Sequence, residues 1–461
     1  MRYPPGPKPT SLLGNMPLTS PDPLGTYTSW AAKYGDIFHY RFLWNHVYFL
    51  SNPDHIDYVL VRNASNFIKD RTTRNSRWLL GNGLVISEGD LWLRQRRLIQ
   101  PAFHRDRIAG YAAIMTAYTR DMLAGWRSGA ALDIHREMMQ LTLRVVVRCL
   151  FGMETGETQA ISRSLDLVAS NNTGVRLLLP PMLRNLPLPG AREHRRAVDD
   201  LNRAVQQIIA QHRRSNERGD DLLAMLMAAR DEDGSGMTDK QLRDEVMTFF
   251  LAGHETTALA LSWALYLLSR NPDAEAMLHQ ELDRVLGARP AELADLPALV
   301  WTDCVIKEAM RLYPPAWAMG RAALKEFELG GYTIPKGAMV VMSPWIVQRD
   351  ARHFPDPEKF DPGRWMPERA QKLPRFAYFP FGGGRRQCVG NTFAMMEAVL
   401  ALASIAQRFQ VRVAADYVAR PMVAFTLRPR GGIPAQIAER TPAERVRTDR
   451  MPASRVIETR N

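Results

Sequence analysis

The chain has 461 residues, 46% of them hydrophobic and 23% charged, with a formal net charge of +12. That is ordinary globular composition, and no apolar run reaches the roughly 18 residues a membrane span needs. The basic residues are dispersed and form no lysine-rich arm with interleaved aromatics, so nucleic-acid binding is not expected.

The start, Met1-Arg2-Tyr3-Pro4-Pro5-Gly6-Pro7, lacks the apolar core of a signal peptide, which predicts a soluble cytoplasmic protein. No Gly/Ser linker, low-complexity tract or internal repeat divides the chain, so residues 1–440 read as one domain. Three cysteines, Cys149, Cys304 and Cys388, argue against a disulfide framework. Gly35 to Phe42 and Val47 to Leu50 read as a β-hairpin with its loop near Trp44-Asn45. From Glu88 onward helical patterns dominate. Thr238-Asp239-Lys240-Gln241 matches a capping box, flanked by Met237 and Leu242 as a hydrophobic staple. The helix it opens runs to about Ser269, where Asn271-Pro272 stops it; roughly 30 residues span about 45 Å, enough to cross the molecule. Tyr332 to Gly337 reads as a turn and Met339 to Met342 as an apolar strand. A last strand pair is expected at Val423 to Leu427 and Pro434 to Ala438. The tail at 441–461 is polar, charged and expected to be disordered.

Cys388 carries the chemistry. It follows Phe381-Gly382-Gly383-Gly384-Arg385-Arg386-Gln387 and precedes a helical stretch that begins near Asn391. Consecutive glycines let a flat, bulky group approach the backbone closely. A cysteine at a helix N-terminus, after two arginines, is placed to exist as a thiolate. With no partner cysteine or histidine at ligand spacing it is a poor zinc site. It suits haem iron, which needs one strong donor from the protein on that side. The alternative is a buried structural cysteine on a glycine-rich turn.

Phe381-x-x-Gly384-x-Arg386-x-Cys388-x-Gly390 resembles the haem-binding signature of the cytochrome P-450 superfamily at every defining position. Further motifs fall in the family's order, from the proline-rich start to about Pro429. The resemblance implies a single-domain fold, mainly α with small β-sheets (α+β), with haem b between the central long helix and the cysteine loop. Cys388 is then the metal ligand, and Phe381, Arg386 and Gly390 bind the cofactor. Trp92 and Arg96, four residues apart, resemble the family's W-x-x-x-R/H pair, whose N–H donors reach a haem propionate. Arg386 is a second propionate donor and Arg321, after the Tyr313-Pro314-Pro315 turn, a third; surface arginines are the alternative at 96 and 321.

In the central helix Phe249, Gly253, Thr256 and Ala260 share one face. Gly253 costs a helix about 1 kcal/mol relative to alanine, which close approach of a flat ligand explains. Glu255-Thr256 resembles the family's catalytic acid–alcohol pair, a hydroxyl beside a partly buried carboxylate that relays protons to iron-bound dioxygen. Thr257 is the neighbouring alternative, and a plain polar step in an amphipathic helix another. Glu308 and Arg311 match the family's E-x-x-R pair, with Arg364 as third member of a structural network that must be fully paired if buried. The family's pocket segments correspond to Trp78, Leu79, Leu84, Val85, Phe249, Ala252, Ala316, Trp317, Met319, Val423, Ala424 and Phe425, an apolar set that implies a hydrophobic substrate.

These features imply a haem-thiolate monooxygenase that uses dioxygen on a hydrophobic small molecule, a terpenoid or fatty acid being favoured. Rival readings are a peroxygenase or isomerase on the same scaffold, whose members typically lose the acid–alcohol pair, and a non-catalytic haem- or lipid-binding protein. The 73 residues after Cys388 read as one helix, a strand pair and the tail, with no flavin or iron–sulfur module. Two electrons are therefore expected from a separate ferredoxin or flavodoxin with its reductase. The positive charge fits an acidic partner of this kind, with Arg94, Arg97 and Arg385 as its docking patch and the enzyme itself a monomer.

Overall fold

The computed structural model of the chain describes residues 3–42, 45–153, 158–171, 191–215, 221–231 and 234–440. The expected hairpin forms from strands Ile37–Phe42 and Asn45–Leu50, with Ile37 opposite Leu50; position 44 of its loop lies outside the described residues. Side chains alternate across a strand, and both faces here are covered. Phe38, Tyr40, Val47 and Phe49 enter one apolar cluster, while Ile37, Tyr48 and Leu50 enter another. The strand Met339–Met342 pairs in parallel with Asn45–Leu50 and is followed outward by Met319–Ala323 and Phe67–Lys69, completing a five-stranded sheet. The last pairing sets Lys69 opposite Arg321.

Helices make up the rest of the body. The central helix, Asp239–Arg270, opens on the predicted capping box: Thr238 N–H donates to Gln241 Oε1 (2.8 Å) and Gln241 N–H to Thr238 Oγ1 (3.3 Å). Its second half is buried all round, packed among Ile134–Phe151, Val300–Leu312 and Asn391–Arg408. Pro272 opens the next helix, since a proline without an N–H begins a helix more readily than it continues one.

Two strand expectations change. Tyr332–Ile334 is a short strand paired with Phe327–Leu329 through a turn at Gly330 and Gly331, both at positive φ; of the expected turn only the second half forms, Ala338 N–H donating to Pro335 O (3.1 Å) with Gly337 at φ +81°. Near the C-terminus, Pro421–Val423 pairs locally with Leu427–Pro429, whereas Pro434–Glu439 joins Ala131–Asp133 and Phe409–Arg412. Gly431 and Gly432, at φ +79° and +83°, redirect the chain between the two sheets. The 441–461 tail lies outside the described residues. Among the described residues no helix is long and apolar enough to cross a membrane.

Candidate active site

A cavity of about 330 Å³ lies between the central helix and the segment that carries Cys388. Phe249, Gly253, Thr256 and Ala260, the expected face, all line it, joined by Thr248, Ala252 and Thr257. Gly253 has a packing reason beyond any ligand, because a Cβ added there would meet Val146 at 3.1 Å. Of the expected substrate-facing residues, Leu84, Val85, Phe249, Ala252, Ala316 and Met319 line the cavity. Trp78, Leu79, Trp317, Val423, Ala424 and Phe425 do not. Trp317 is buried in the neighbouring cluster, with its indole N–H bonded to Ala424 O, and Phe425 is half exposed at the hairpin tip. Phe103, Leu150 and Phe393 line the cavity and were not expected; their spacing marks them only as core.

The loop before Cys388 is held by its own backbone. Cys388 N–H donates to Phe381 O (3.0 Å), and Gly384 sits at φ +65° where a Cβ would lie 1.9 Å from Leu60 O. Only glycine fits that approach. Cys388 is exposed and lines the cavity. Burial pushes its thiol pKa up, while the Gly390 N–H and the Arg96 guanidinium pull it down. The two preceding arginines are not the thiol's partners, contrary to expectation. Arg385 is solvent-exposed and Arg386 is bound elsewhere. A thiolate at Cys388 therefore needs a cation at the sulfur itself.

One end of the cavity gathers positive charge. Arg386 stacks on the Trp92 ring (4.0 Å), donates to Ser87 O (2.8 Å) and pairs with Glu88. Arg321 and Lys69, neighbours across the strand pair, line the same end. Lys69 was not expected, and a lysine at the end of a three-residue strand gives no sequence signal of its role. Burial beside Arg321 and Arg386 lowers its pKa to about 7. Burial likewise lowers Arg321, and brings Arg386 to about 10. Arg386 pairs with Glu88, while Lys69 and Arg321 feel the carboxylates of Glu88 and Asp70 through space, so three cations face two acids and this end is short of negative charge. A flat cofactor with two carboxylates fits it. Trp92 and Arg96 both line the cavity, but Arg96 donates to Gln387 O (2.9 Å) and so faces the cysteine loop.

Comparison with known proteins agrees with this geometry. The family model for cytochrome P-450 matches residues 4–432. The chain belongs to the cytochrome P-450 family. It is 40% identical to cyclooctatin synthase of Streptomyces melanosporofaciens over 91% of this chain and 90% of that protein. It is 38% identical to pentalenene oxygenase of Streptomyces avermitilis over 80% and 82%. The crystallised heme domain of cytochrome P-450DA superposes with a TM-score of 0.85 at 26% identity, covering 96% of this chain and 98% of that one. The fold is the P-450 fold, the enzyme is a P-450 monooxygenase, and the family implies a haem-thiolate iron cofactor.

Within this P-450, the acid–alcohol pair departs from expectation. Thr256 faces the cavity, its hydroxyl donating to Ala252 O (2.8 Å). Glu255 does not line the cavity. It accepts from Arg428 Nε (2.6 Å) and from the Thr426 hydroxyl, on the hairpin behind the helix. At about 100° per residue, Thr256 and Thr257 both fall within the arc that lines the cavity, whereas Glu255 falls just outside it, on the hairpin side. Burial would raise the Glu255 pKa, but Arg428 and Thr426 hold it below the usual carboxylate range. A second acid went unnoticed in the sequence. Glu397 is buried, approaches Thr257 without a well-formed bond to either oxygen, and has its pKa pushed well up by burial.

The Glu308–Arg311–Arg364 network forms as expected. Arg311 donates to Glu308 Oε2 (2.8 Å) and Oε1 (2.9 Å), and to the carbonyls of Gln348, Pro357 and Lys359. Glu308 also accepts from Arg364 (3.3 Å), Trp365 (2.9 Å) and Asp361 N–H (3.0 Å). Of the docking arginines, Arg97 and Arg385 are exposed. Arg94 is tied to Asp231 (2.6 Å) and Ser235 and is mostly covered.

Proposed function

We propose that this P-450 hydroxylates an alicyclic terpenoid, with Cys388 as iron ligand of haem b and electrons from a separate ferredoxin or flavodoxin. The observation that carries the reading is Cys388 across one cavity from the Thr256 face, with a cation-rich end between apolar walls. Relatives named for pentalenene and for cyclooctat-9-en-7-ol favour a terpenoid over a fatty acid.

Bound haem supplies dioxygen activation: one oxygen atom enters a substrate C–H bond and the other leaves as water, using two electrons and two protons. The chain's residues do the rest. Gly390 N–H and Arg96 stabilise negative charge on Cys388 sulfur. Arg386, Arg321 and Lys69 would hold the propionates, and Trp92 steadies Arg386 by stacking. Leu84, Val85 and Phe249 hold the substrate and exclude water. Thr256 Oγ passes a proton by exchanging its bond to Ala252 O for one into the cavity. Glu255 contributes a proton only when its pairing with Arg428 opens; at rest it fixes the helix to the hairpin.

The test is spectroscopic. The reduced, carbon-monoxide-bound protein should absorb at the thiolate position, and Cys388→His should move the band to a histidine-like one. Pentalenene should displace iron-bound water more strongly than palmitate, and turnover with a surrogate ferredoxin system should give a hydroxylated product. A thiolate band that survives Cys388→Ser, or palmitate bound in preference, would refute the respective part.

A further inference from the structure

Two consecutive carboxylates on the central helix, Asp244 and Glu245, are almost completely buried and touch neither the cation-rich end nor Cys388. Both reach instead to the segment 81–86 that precedes the Trp92 helix. Asn82 N–H donates to Asp244 Oδ2 (2.8 Å), and Leu84 N–H to Glu245 Oε2 (3.0 Å). The two amides lie two residues apart in a stretch of turns, where Ile86 N–H and Ser87 N–H both donate to Gly83 O (2.9 Å each), so the carboxyl groups fix the first of these turns from the helix side. Asp244 is neutralised by Lys240 and Arg243, each at 2.9 Å. Among the described residues no cation is bonded to Glu245, and its Oε1 is buried without a partner.

The segment is seated with no room to spare. A Cβ on Gly81 would lie 2.0 Å from Asp244 Oδ1, and one on Gly83 2.1 Å from Thr248 Oγ1 and 2.5 Å from Asp244 O. Gly81 also sits at φ +55°. From the other side, buried Gln95 donates to Asn82 O (3.1 Å). The backbone of 81–84 is thus pinned through its amides, while Leu84 and Val85 emerge directly into the cavity beside Thr248 and Phe249.

We infer that Asp244 and Glu245 are positioning residues for substrate recognition: by docking 81–86 against the central helix they place the Leu84–Val85 wall and so set which substrate fits over Cys388. The inference rests on the proposed haem-thiolate reading, and deepens it by naming what holds one wall of the pocket. A carboxylate pair bonding backbone amides carries no preference for substrate chemistry itself. Its effect is on shape, so it should discriminate ligands by size and leave small ones untouched.

The test uses the holoenzyme with imidazole and 4-phenylimidazole as iron-binding probes of different size. Glu245→Leu removes the acceptor for Leu84 N–H. It should weaken 4-phenylimidazole by about fivefold, the worth of one net hydrogen bond, while leaving imidazole unchanged. Glu245→Gln, which keeps an acceptor oxygen, should behave as wild type. Amide exchange over 81–86 should quicken in Glu245→Leu and not in Glu245→Gln. Gly83→Ala, which pushes the segment off Thr248 and the Asp244 backbone while keeping both carboxyl groups, should reproduce the probe discrimination should Glu245→Leu fail to fold. An unchanged affinity ratio in Glu245→Leu or Gly83→Ala, or unchanged exchange in Glu245→Leu, overturns the inference. Loss of the thiolate band in wild type would instead strike the haem reading, since exchange over 81–86 reports on the clamp independently.

Discussion

Glu255 and Thr256 are adjacent in sequence but occupy different compartments of this P-450. The threonine faces the cavity, and the glutamate is locked behind the helix by Arg428 at 2.6 Å. An acid held ionised by an arginine supplies no proton at rest. Thr256 therefore works with whatever water reaches the cavity until the Glu255–Arg428 pair opens.

Thr256→Ala should keep haem and substrate binding while hydroxylated product per NADPH falls by about tenfold or more. That is below the roughly 10²-fold that positioned proton transfer commonly contributes, because water takes over part of the delivery. Peroxide should account for the missing electrons. Full coupling in Thr256→Ala with loss in Thr257→Ala would transfer the role to the residue beside Glu397.

Glu308→Ala should cost about 3–5 kcal/mol, since it leaves Arg311 and Arg364 as uncompensated buried charges. Neither Glu308 nor Arg311 lines the cavity. Even so, haem content should drop, because Gln348 bridges Arg311 to the segment leading into the cysteine loop: it donates to Arg311 O (3.1 Å) and accepts from Phe379 N–H (3.2 Å). Denaturant unfolding and haem content check the two effects separately; normal values for both would contradict the network's role.

How much of this was legible depended on whether a residue's neighbours lie close by in sequence. The capping box at Thr238 and the E-x-x-R pair are local patterns and form as read, whereas the two arginines of the cysteine signature turn away from the sulfur. Arg364 lay 53 positions beyond Arg311 and was found through the family pattern alone. Lys69, Glu397 and Arg428 acquire their settings only when distant segments meet, and nothing beside them in sequence signals it. The pairing of Glu255 was missed for a different reason: helix periodicity places it off the cavity face, but the motif drew it into the site. The C-terminal strands follow one another in sequence, and nothing local shows that Gly431 and Gly432 send them to different sheets.

Lys69 gives a pH signature. Burial and the charges of Arg321 and Arg386 outweigh Glu88 and Asp70 and bring its pKa to about 7; a bound propionate would hold the proton on. Cofactor binding then takes up a proton above that pH, so haem affinity should decline as pH rises through about 7, by at most about tenfold per unit. Stability of the haem-free protein should run the other way. A lysine whose folded pKa is depressed destabilises the fold below that pKa, and the penalty lifts as pH rises from about 7 towards the unfolded value. Haem transfer to an apo-acceptor, followed against pH, should show the decline in wild type and a flat profile in Lys69→Met. The same slope in both would remove Lys69 from the propionate site.

Electron delivery gives the last prediction. Arg97 and Arg385 flank the Trp92 helix and the cysteine loop and are exposed; Arg385 lies 5.7 Å from the Trp92 ring, and Arg97 stands 3.9 Å from Asp231. Arg94, the third candidate, is removed by its tight bond to Asp231. An acidic carrier approaching behind Cys388 would meet these two side chains first. Complementary charge chiefly accelerates encounter, and its reach is cut to about 8 Å at physiological salt. Reduction should therefore slow as ionic strength rises. Arg97→Glu and Arg385→Glu should each slow it about three- to tenfold at low salt and flatten the salt slope, while the carbon-monoxide spectrum stays that of wild type. Stopped-flow reduction by a ferredoxin across a salt series makes the measurement. A rate indifferent to both salt and charge reversal would place docking elsewhere and leave the +12 net charge unconnected to electron transfer.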